Sequence, residues 1–408
     1  MIARTAQQTL LRLARGFPVV AITGPRQSGK TTLAKLSFPE KPYVSLEDPD
    51  IRSMAENDPR GLLAGFPNGA ILDEAQRAPQ LFSYLQTRVD EQVTPGMFVL
   101  TGSQQFGLLS GISQSLAGRV GLIQLLPFAA SELESAQQLP GSLEELLVRG
   151  LYPPLYDRPI LASDWFAGYI STYVERDARQ LINVRDLSAF QRFVKMCAAR
   201  TGQILNLSTL AADCGITHNT ASSWISVMEA SYLVYLLRPH YRNFNKRMIK
   251  APKLYFCDVG LAAWLMGIHE PEQMRFHAQR GALFETFVVT EVLKGRLNQG
   301  LPSNLFFWRD SKGLEIDLIL EYGEELKPVE IKSSQTLAPD FFDALKRWGA
   351  LSGLAERPGW LVYGGDRELT HGNISIVPWR SISKLLEVGL KPPSGKGAQN
   401  RNPAAGTF

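Results

Sequence analysis

The sequence predicts an α/β protein: a parallel sheet around a phosphate-binding loop, then a helical segment, then a second α/β region. Three observations predict it. Gly24-Pro25-Arg26-Gln27-Ser28-Gly29-Lys30-Thr31 follows the apolar run Val19-Val20-Ala21-Ile22 and precedes Thr32-Leu33-Ala34-Lys35-Leu36, giving strand, glycine-bounded loop and helix in that order. Strand-like and helix-like stretches then alternate to about residue 135, the pattern of a parallel sheet. Beyond residue 280 a long helical stretch leads into three strands and a further helix. A chain of 408 residues is too long for one ordinary core. The expected divisions are 1–135, a helical lid or linker at 136–200, 201–258, 259–385 and a tail at 386–408.

Taken in order, residues 2–15 read as a lead-in helix with Ile2, Leu10, Leu11 and Leu13 as apolar positions. In the loop that follows, the glycines let successive N–H groups point inward at phosphate oxygens, and the helix start adds its positive end. Lys30 is placed to reach the β- and γ-phosphates of a nucleotide, Thr31 to ligate Mg2+, and Thr32 to complete the loop. Pro42-Tyr43-Val44-Ser45-Leu46 reads as the next strand, and Gly69-Ala70-Ile71-Leu72-Asp73-Glu74 as a strand running into two adjacent carboxylates. After a phosphate loop, the first such carboxylate holds Mg2+ and the second polarises the attacking water. A solvated Asp-Glu at a strand end is the plain alternative. Residues 79–93 read as a helix, and 96–103 as a buried strand ending in Thr101-Gly102-Ser103. Thr101 or Ser103 is a candidate γ-phosphate sensor, although Ser103 also suits a helix N-cap. Arg119 is a candidate finger on a γ-phosphate, in its own subunit or a neighbour's, which would need a homo-oligomer; an arginine at a helix end also suits the dipole. Residues 120–126 form the last strand, ended by Pro127.

Composition narrows the class. Apolar residues make up 45% and charged residues 20%, as in a soluble globular protein. The net charge of +4 leaves any polyanion partner to local patches. Cys197, Cys214 and Cys257 have no zinc-ligand spacing and fit a reducing compartment. Arg4, Arg12 and Arg15 interrupt the N-terminal segment, so no signal peptide is read, and no apolar run reaches the ~18–20 residues of a membrane span. A cytoplasmic protein without a membrane partner is expected.

The phosphate loop, Ile71-Leu72-Asp73-Glu74-Ala75-Gln76, Leu100-Thr101-Gly102-Ser103 and Ser115-Leu116-Ala117-Gly118-Arg119 together resemble the AAA+-type P-loop ATPases of bacteria and archaea that carry an additional C-terminal domain. Tyr173-Val174-Glu175-Arg176-Asp177, Phe256-Cys257-Asp258-Val259-Gly260-Leu261 and Gly281-Ala282-Leu283-Phe284-Glu285 extend the resemblance to about residue 380. It implies an extra strand between the phosphate-loop strand and the Asp73 strand, and Asp73 and Glu74 as Mg2+-holding and water-activating residues.

The middle of the chain reads as helical over 140–200, with Glu175 and Arg179 spaced as a helix-surface pair. Residues 207–229 then read as helix, glycine turn and helix: a first helix capped by Ser208, a turn at Gly215, and a second helix from Thr217 or His218 through Trp224, Ile225 and Met228. The second helix presents His218, Asn219, Thr220, Ser222 and Ser223. A strand at 232–237 follows, then Arg238, Arg242, Lys246, Arg247, Lys250 and Lys253 with Tyr241 and Phe244 and no acidic residue. Such a strand and basic loop suggest a winged helix facing double-stranded DNA, with His218, Asn219, Thr220, Ser222, Arg238, Arg242, Lys246 and Arg247 as candidate contacts. A winged helix that only packs as a lid is the alternative.

At the C-terminal end, residues 280–298 read as an amphipathic helix carrying Glu285 and Glu291, followed by strands at 304–309, 315–320 and 328–332. Glu330 and Lys332 share one strand face, and Asp317 lies across a hairpin from them. Two carboxylates can hold a divalent metal while the ammonium activates water. Helix, strand, Asp, hairpin and Glu-x-Lys resemble the restriction-endonuclease-like fold of the PD-(D/E)xK nucleases, with Glu285, Asp317, Glu330 and Lys332 at its positions; Ile316 stands where that pattern has proline. A second Mg2+ or Mn2+ at Asp317 and Glu330 is thus a candidate cofactor beside ATP and Mg2+. Three readings stay open: an ATPase driving the winged-helix and nuclease-like parts, a nucleotide-gated DNA- or protein-binding switch without cleavage, and an ATP-licensed deoxyribonuclease.

Overall fold

Val19–Thr23 forms β1, buried at every position. Its β-branched and apolar residues suit a strand covered on both faces, as a parallel sheet requires. The computed structural model describes residues 1–103, 108, 111–112, 114–173, 186–240, 250–353 and 359–387. Around β1 lie helix α1 (Ala6–Gly16), α2 (Lys30–Ser37), β2 (Tyr43–Ser45), α3 (Pro49–Asn57), α4 (Pro59–Ala64), β3 (Ile71–Asp73), α5 (Leu81–Glu91), β4 (Phe98–Gly102) and β5 (Val120–Gln124). The order β2-β3-β4-β1-β5 is parallel throughout, and it puts β4 between β1 and β3 as the resemblance implies. Thr23 pairs with Gly102 and Gln124, and Ser45 with Asp73, so the carboxyl ends of the strands line up at one edge. Ligands of open parallel sheets bind at that edge.

Helices α6 (Ala130–Ser135), α7 (Leu143–Arg149), α8 (Pro154–Asp157), α9 (Ala162–Thr172) and α10 (Leu187–Ala198) lead to a two-residue strand β6 (Gln203–Ile204), α11 (Leu207–Cys214) and α12 (His218–Ala230). The cap of α11 is Asn206, whose side chain accepts from Thr209 N at 3.1 Å; the expected cap Ser208 lies inside the helix. Gly215 ends α11 in the left-handed region (φ 68°), where a side chain would be strained. Thr217 caps α12 by accepting from Thr220 N. Strands β7 (Val234–Pro239) and β8 (Lys253–Phe256) form an antiparallel pair, with β6 on the other side of β8. The sequence reading had no strand at β8.

After α13 (Val259–Leu265) and α14 (Pro271–Phe276) comes α15 (Arg280–Asn298), then β9 (Leu305–Arg309), β10 (Glu315–Tyr322), β11 (Glu325–Lys332), α16 (Asp343–Ser352), β12 (Gly359–Tyr363), β13 (Leu369–His371) and β14 (Ile374–Pro378). β7 pairs with β9 in parallel through Arg238–Phe306 and Pro239–Phe307. One sheet therefore runs β13-β14-β12-β11-β10-β9-β7-β8-β6. α15 is not the one-faced helix its spacing suggested. Thr286, Thr290, Glu291, Lys294 and Arg296 are buried along with its apolar residues. A helix covered on all sides belongs to an interior. Two of its charged groups are paired there: Glu291 Oε2 accepts from Ala130 N at 2.6 Å, and Lys294 Nζ reaches Phe128 O at 3.0 Å and Glu291 Oε1 at 2.8 Å. Among the described residues no helix is long and apolar enough to cross a membrane.

The N-terminus is tied to the phosphate loop by a buried ion pair. Arg4 Nε lies 3.1 Å from Glu132 Oε2, while its other nitrogens donate to Ser28 O and Leu126 O, both at 2.7 Å. Glu132 also accepts from Thr5 N at 2.7 Å and Ala129 N at 2.9 Å. Removing one partner leaves the other charged and dry. Arg4→Met is expected to lower the unfolding free energy by about 3–5 kcal/mol, read from urea midpoints, with Glu132→Gln costing less because its oxygen still accepts.

Candidate functional site

The carboxyl edge of the first sheet holds a cavity of ≈730 Å³. Arg26, Gln27, Gly29, Lys30, Thr31 and Thr32 line it from the loop, with Asp73 and Glu74 opposite. Gly24 is needed on two counts: its φ is 150°, and a Cβ there would stand 2.0 Å from Leu125 O. Gly29 (φ 91°) precedes the first turn of α2, so the N–H groups of that turn open into the cavity. Lys30 is folded onto its own loop, donating to Gly24 O at 3.0 Å and Pro25 O at 2.7 Å. Ser28 lies beneath the loop and holds Arg4 by its carbonyl.

Thr31 Oγ1 donates to Asp73 Oδ1 at 2.9 Å, and the Thr101 hydroxyl donates to the same oxygen. Hydroxyl and carboxylate oxygens this close are a hard-oxygen donor set, which fits Mg2+. Glu74 stands in the left-handed region (φ 54°), which turns its carboxylate away from the strand line. Its Oε2 accepts from Gln76 Nε2 at 2.5 Å and Ser103 Oγ at 2.9 Å. Thr101 and Ser103 thus bond to the two carboxylates; the segment that Ser103 was expected to cap lies outside the described residues.

Arg119 does not join this site. Its side chain pairs with Asp90 at 2.5 and 2.8 Å. Its carbonyl accepts from Val19 N, at the far end of β1 from the loop. Four residues of strand separate the two ends by about 13 Å. Sequence reasoning also missed three groups. Tyr43 OH donates to Asp73 Oδ2 at 2.7 Å, while Lys35 Nζ lies 3.4 Å above its ring. Burial and the Asp73 charge push the Tyr43 phenol up. Asp157 and Arg158 line the cavity from the C-terminal end of α8, in the following segment. A Pro-Pro pair before Asp-Arg was the available signal, and nothing in its spacing pointed across the chain.

The helix pair places its expected residues unevenly. His218, Ser222 and Arg238 line one groove of ≈590 Å³ together with Ser226 and Glu229. Burial raises the Glu229 carboxyl, against the opposing pull of Arg238. Asn219 is exposed on α12 outside that groove, and Thr220 is bonded to Thr217 Oγ1. Arg242, Lys246 and Arg247, with Tyr241 and Phe244, lie outside the described residues, as do Glu175 and Arg179. Lys253, counted above with the basic loop, is 3% exposed on β8 and belongs to no surface patch.

In the C-terminal region Asp317 is on β10, Glu330 and Lys332 on β11, and Glu285 on α15. Asp317 Oδ2 accepts from Ile331 N at 2.9 Å, and Lys332 Nζ donates to Glu330 Oε1 at 2.5 Å. Glu285 Oε1 accepts from Tyr255 OH at 2.6 Å and Lys253 Nζ at 2.8 Å. Burial raises the Glu330 and Glu285 carboxyls, with Asp317 adding to both and lysines opposing. Among the described residues no three His, Cys, Asp or Glu side chains are arranged to hold a metal ion. The expected metal at Asp317 and Glu330 finds no third such ligand there among the described residues.

Three family matches divide the chain: an AAA domain at residues 16–134, and two domains of unknown function, DUF8612 at 141–272 and DUF4143 at 280–382. The first agrees with the expected AAA-type ATPase region. An uncharacterised protein of Mycobacterium tuberculosis is 33% identical over 338 residues, covering 82% of this chain and 74% of its own length; one of Mycobacterium bovis matches equally. Among solved structures, a Walker-type ATPase of Pyrococcus abyssi aligns with 64% of this chain and 94% of its own at 13% identity and a TM-score of 0.44. AMPPCP-bound DnaA from Aquifex aeolicus aligns with 55% and 85% at 16% identity and a TM-score of 0.28.

The Tyr43 hydroxyl occupies one oxygen of Asp73, so a cation held by that carboxylate would have to compete with it. One hydrogen bond contributes about 0.5–1.5 kcal/mol. Tyr43→Phe is expected to lower the Mg2+ concentration for half-maximal nucleotide binding about two- to tenfold, measured with a fluorescent ATP analogue.

Proposed function

The chain belongs to the family of these two mycobacterial proteins, and from that premise we propose that it is a Mg2+-dependent ATPase whose nucleotide cycle acts on the helix–turn–helix and C-terminal regions. The observation that carries the first half is the joint placement of Lys30, Thr31, Asp73 and Glu74 around one cavity, with Thr101 bonded to Asp73 behind it. Thr31 and Asp73 would hold Mg2+, which supplies charge neutralisation at the phosphate oxygens. Lys30 would exchange its two loop carbonyls for β- and γ-oxygens. Glu74 would orient and polarise the attacking water once Gln76 and Ser103 release its Oε2. Arg158 would add a positive charge from the neighbouring segment.

The second half rests on two contacts across that boundary. Tyr232 OH donates to Thr23 Oγ1 at 2.7 Å, one residue before the loop, and Trp165 Nε1 donates to Gln27 Oε1 at 3.1 Å within it. Movement of the loop on phosphate binding would reach α9 and the end of α12 through these bonds. The order β6, α11, α12, β7, β8 supports a winged helix, with double-stranded DNA as its partner through His218, Ser222, Arg238 and the basic stretch 242–247. One observation favours a second reading, a nucleotide-gated switch with little turnover: Glu74 is already held by two donors.

A positioned general base contributes about 10²–10⁴-fold. Glu74→Gln is expected to lower phosphate release by that factor while leaving ATP binding intact, and duplex DNA is expected to stimulate the wild-type protein. No turnover in the wild type, with ATP still altering duplex affinity, would favour the switch.

A further inference from the structure

A second cavity, of ≈400 Å³, lies where the three regions of the chain meet. Leu122 and Ile123 of β5 line it from the first region, Leu293 and Leu297 of α15 from the last, and Tyr232 and Val234 from the stretch that leads out of α12 into β7. Cavities of this size at domain boundaries are where small molecules bind. Most of the lining is apolar, and its neutral polar groups are largely engaged. The Tyr232 hydroxyl donates to Thr23 Oγ1, and Tyr235 is hydrogen-bonded to Ser303. Burial pushes the Cys257 thiol up to about 12, so it stays protonated.

Glu229 is different. Among the described residues it alone brings a formal charge to the lining, and no Lys, Arg or His faces it across the cavity. Its half-buried carboxylate carries no hydrogen bond or ion pair among the described residues. Arg238 opposes its burial from the neighbouring groove, and does not line this cavity. Glu229 also stands in the last turn of α12, a helix of 13 residues, where the helix dipole adds negative potential. Carboxylate and helix end therefore call for the same thing, a positive charge, and the walls call for an apolar body.

We propose that this cavity binds a small hydrophobic ammonium, its apolar body seated between β5, α15 and β7 and its charged nitrogen received by the Glu229 carboxylate. A neutral molecule of the same shape leaves that carboxylate without a partner, and an anion is repelled by it. The cavity shares no lining residue with the nucleotide site, so the inference stands whether or not the chain hydrolyses ATP.

The test is a saturation-transfer NMR titration of the full-length, nucleotide-free chain with three probes of one shape: phenethylamine, phenethyl alcohol and hydrocinnamate, at neutral pH where the amine is charged. The amine is expected to bind about tenfold tighter than the alcohol, the size of a hydrogen bond to a charged group, and hydrocinnamate is expected not to bind. Glu229→Gln is expected to erase the preference, so that amine and alcohol bind alike. Leu297→Trp, which fills the cavity, is expected to abolish binding of both. Equal affinity for amine and alcohol in the wild type, a preference that survives Glu229→Gln, or no binding of the amine at millimolar concentration would each overturn the inference. Amine binding unchanged in Leu297→Trp would put the amine elsewhere and overturn it too. Should Leu297→Trp not fold, the amine–alcohol comparison in wild type and the nearly isosteric Glu229→Gln decides alone.

Discussion

The hydrogen bond from Tyr232 to Thr23 joins the strand that feeds the phosphate loop to the turn that ends α12. Both groups are buried, so neither has water as an alternative partner. Tyr232 is held in the left-handed region (φ 58°), a conformation that persists only where its surroundings fix it. Thr23 in turn contacts Ile123 O on β5. Loop, sheet and helix pair therefore share one polar junction. α15 closes the other side of it, through Glu291 and Lys294 at the entrance to α6.

The nucleotide site was legible because its signals are local. Strand, loop and helix are contiguous, and the glycines state their own conformational demand. Asp73 and Glu74 follow an apolar run, and the structure puts them across from Lys30 and Thr31. What was not legible depends on partners far along the chain. Tyr43 looks like any strand tyrosine until Asp73 is placed 2.7 Å away. Arg119 has the spacing of a phosphate contact, yet Asp90 pairs with it at the end of the sheet away from its own chain's loop. Lys253 sits in a run of cations that reads as a surface patch, and only the pairing of β8 with β7 reveals it as interior. α15 reads as amphipathic from its apolar spacing, but its polar residues are buried too, and Glu291 and Lys294 also reach Ala130 N and Phe128 O, far along the chain.

These features suit a protein in which a phosphate site is built to be sensed. Lys30 is parked on carbonyls, the Glu74 carboxylate is held by two donors, and the Asp73 carboxylate carries three hydroxyl partners, Thr31, Thr101 and Tyr43. Lys253 of β8 pairs with Glu285 of α15, and β7 pairs with β9, so the middle and C-terminal regions are joined at both places.

The central claim is that nucleotide at the loop is felt at the helix pair. Hydrogen exchange along residues 207–239 tests it, with and without Mg2+ and a non-hydrolysable ATP analogue. The account predicts altered protection at the C-terminal end of α12 and the Tyr232 turn, and loss of that response in Tyr232→Phe while the loop itself remains protected. Protection changes confined to residues 19–37 and 71–103 would contradict it.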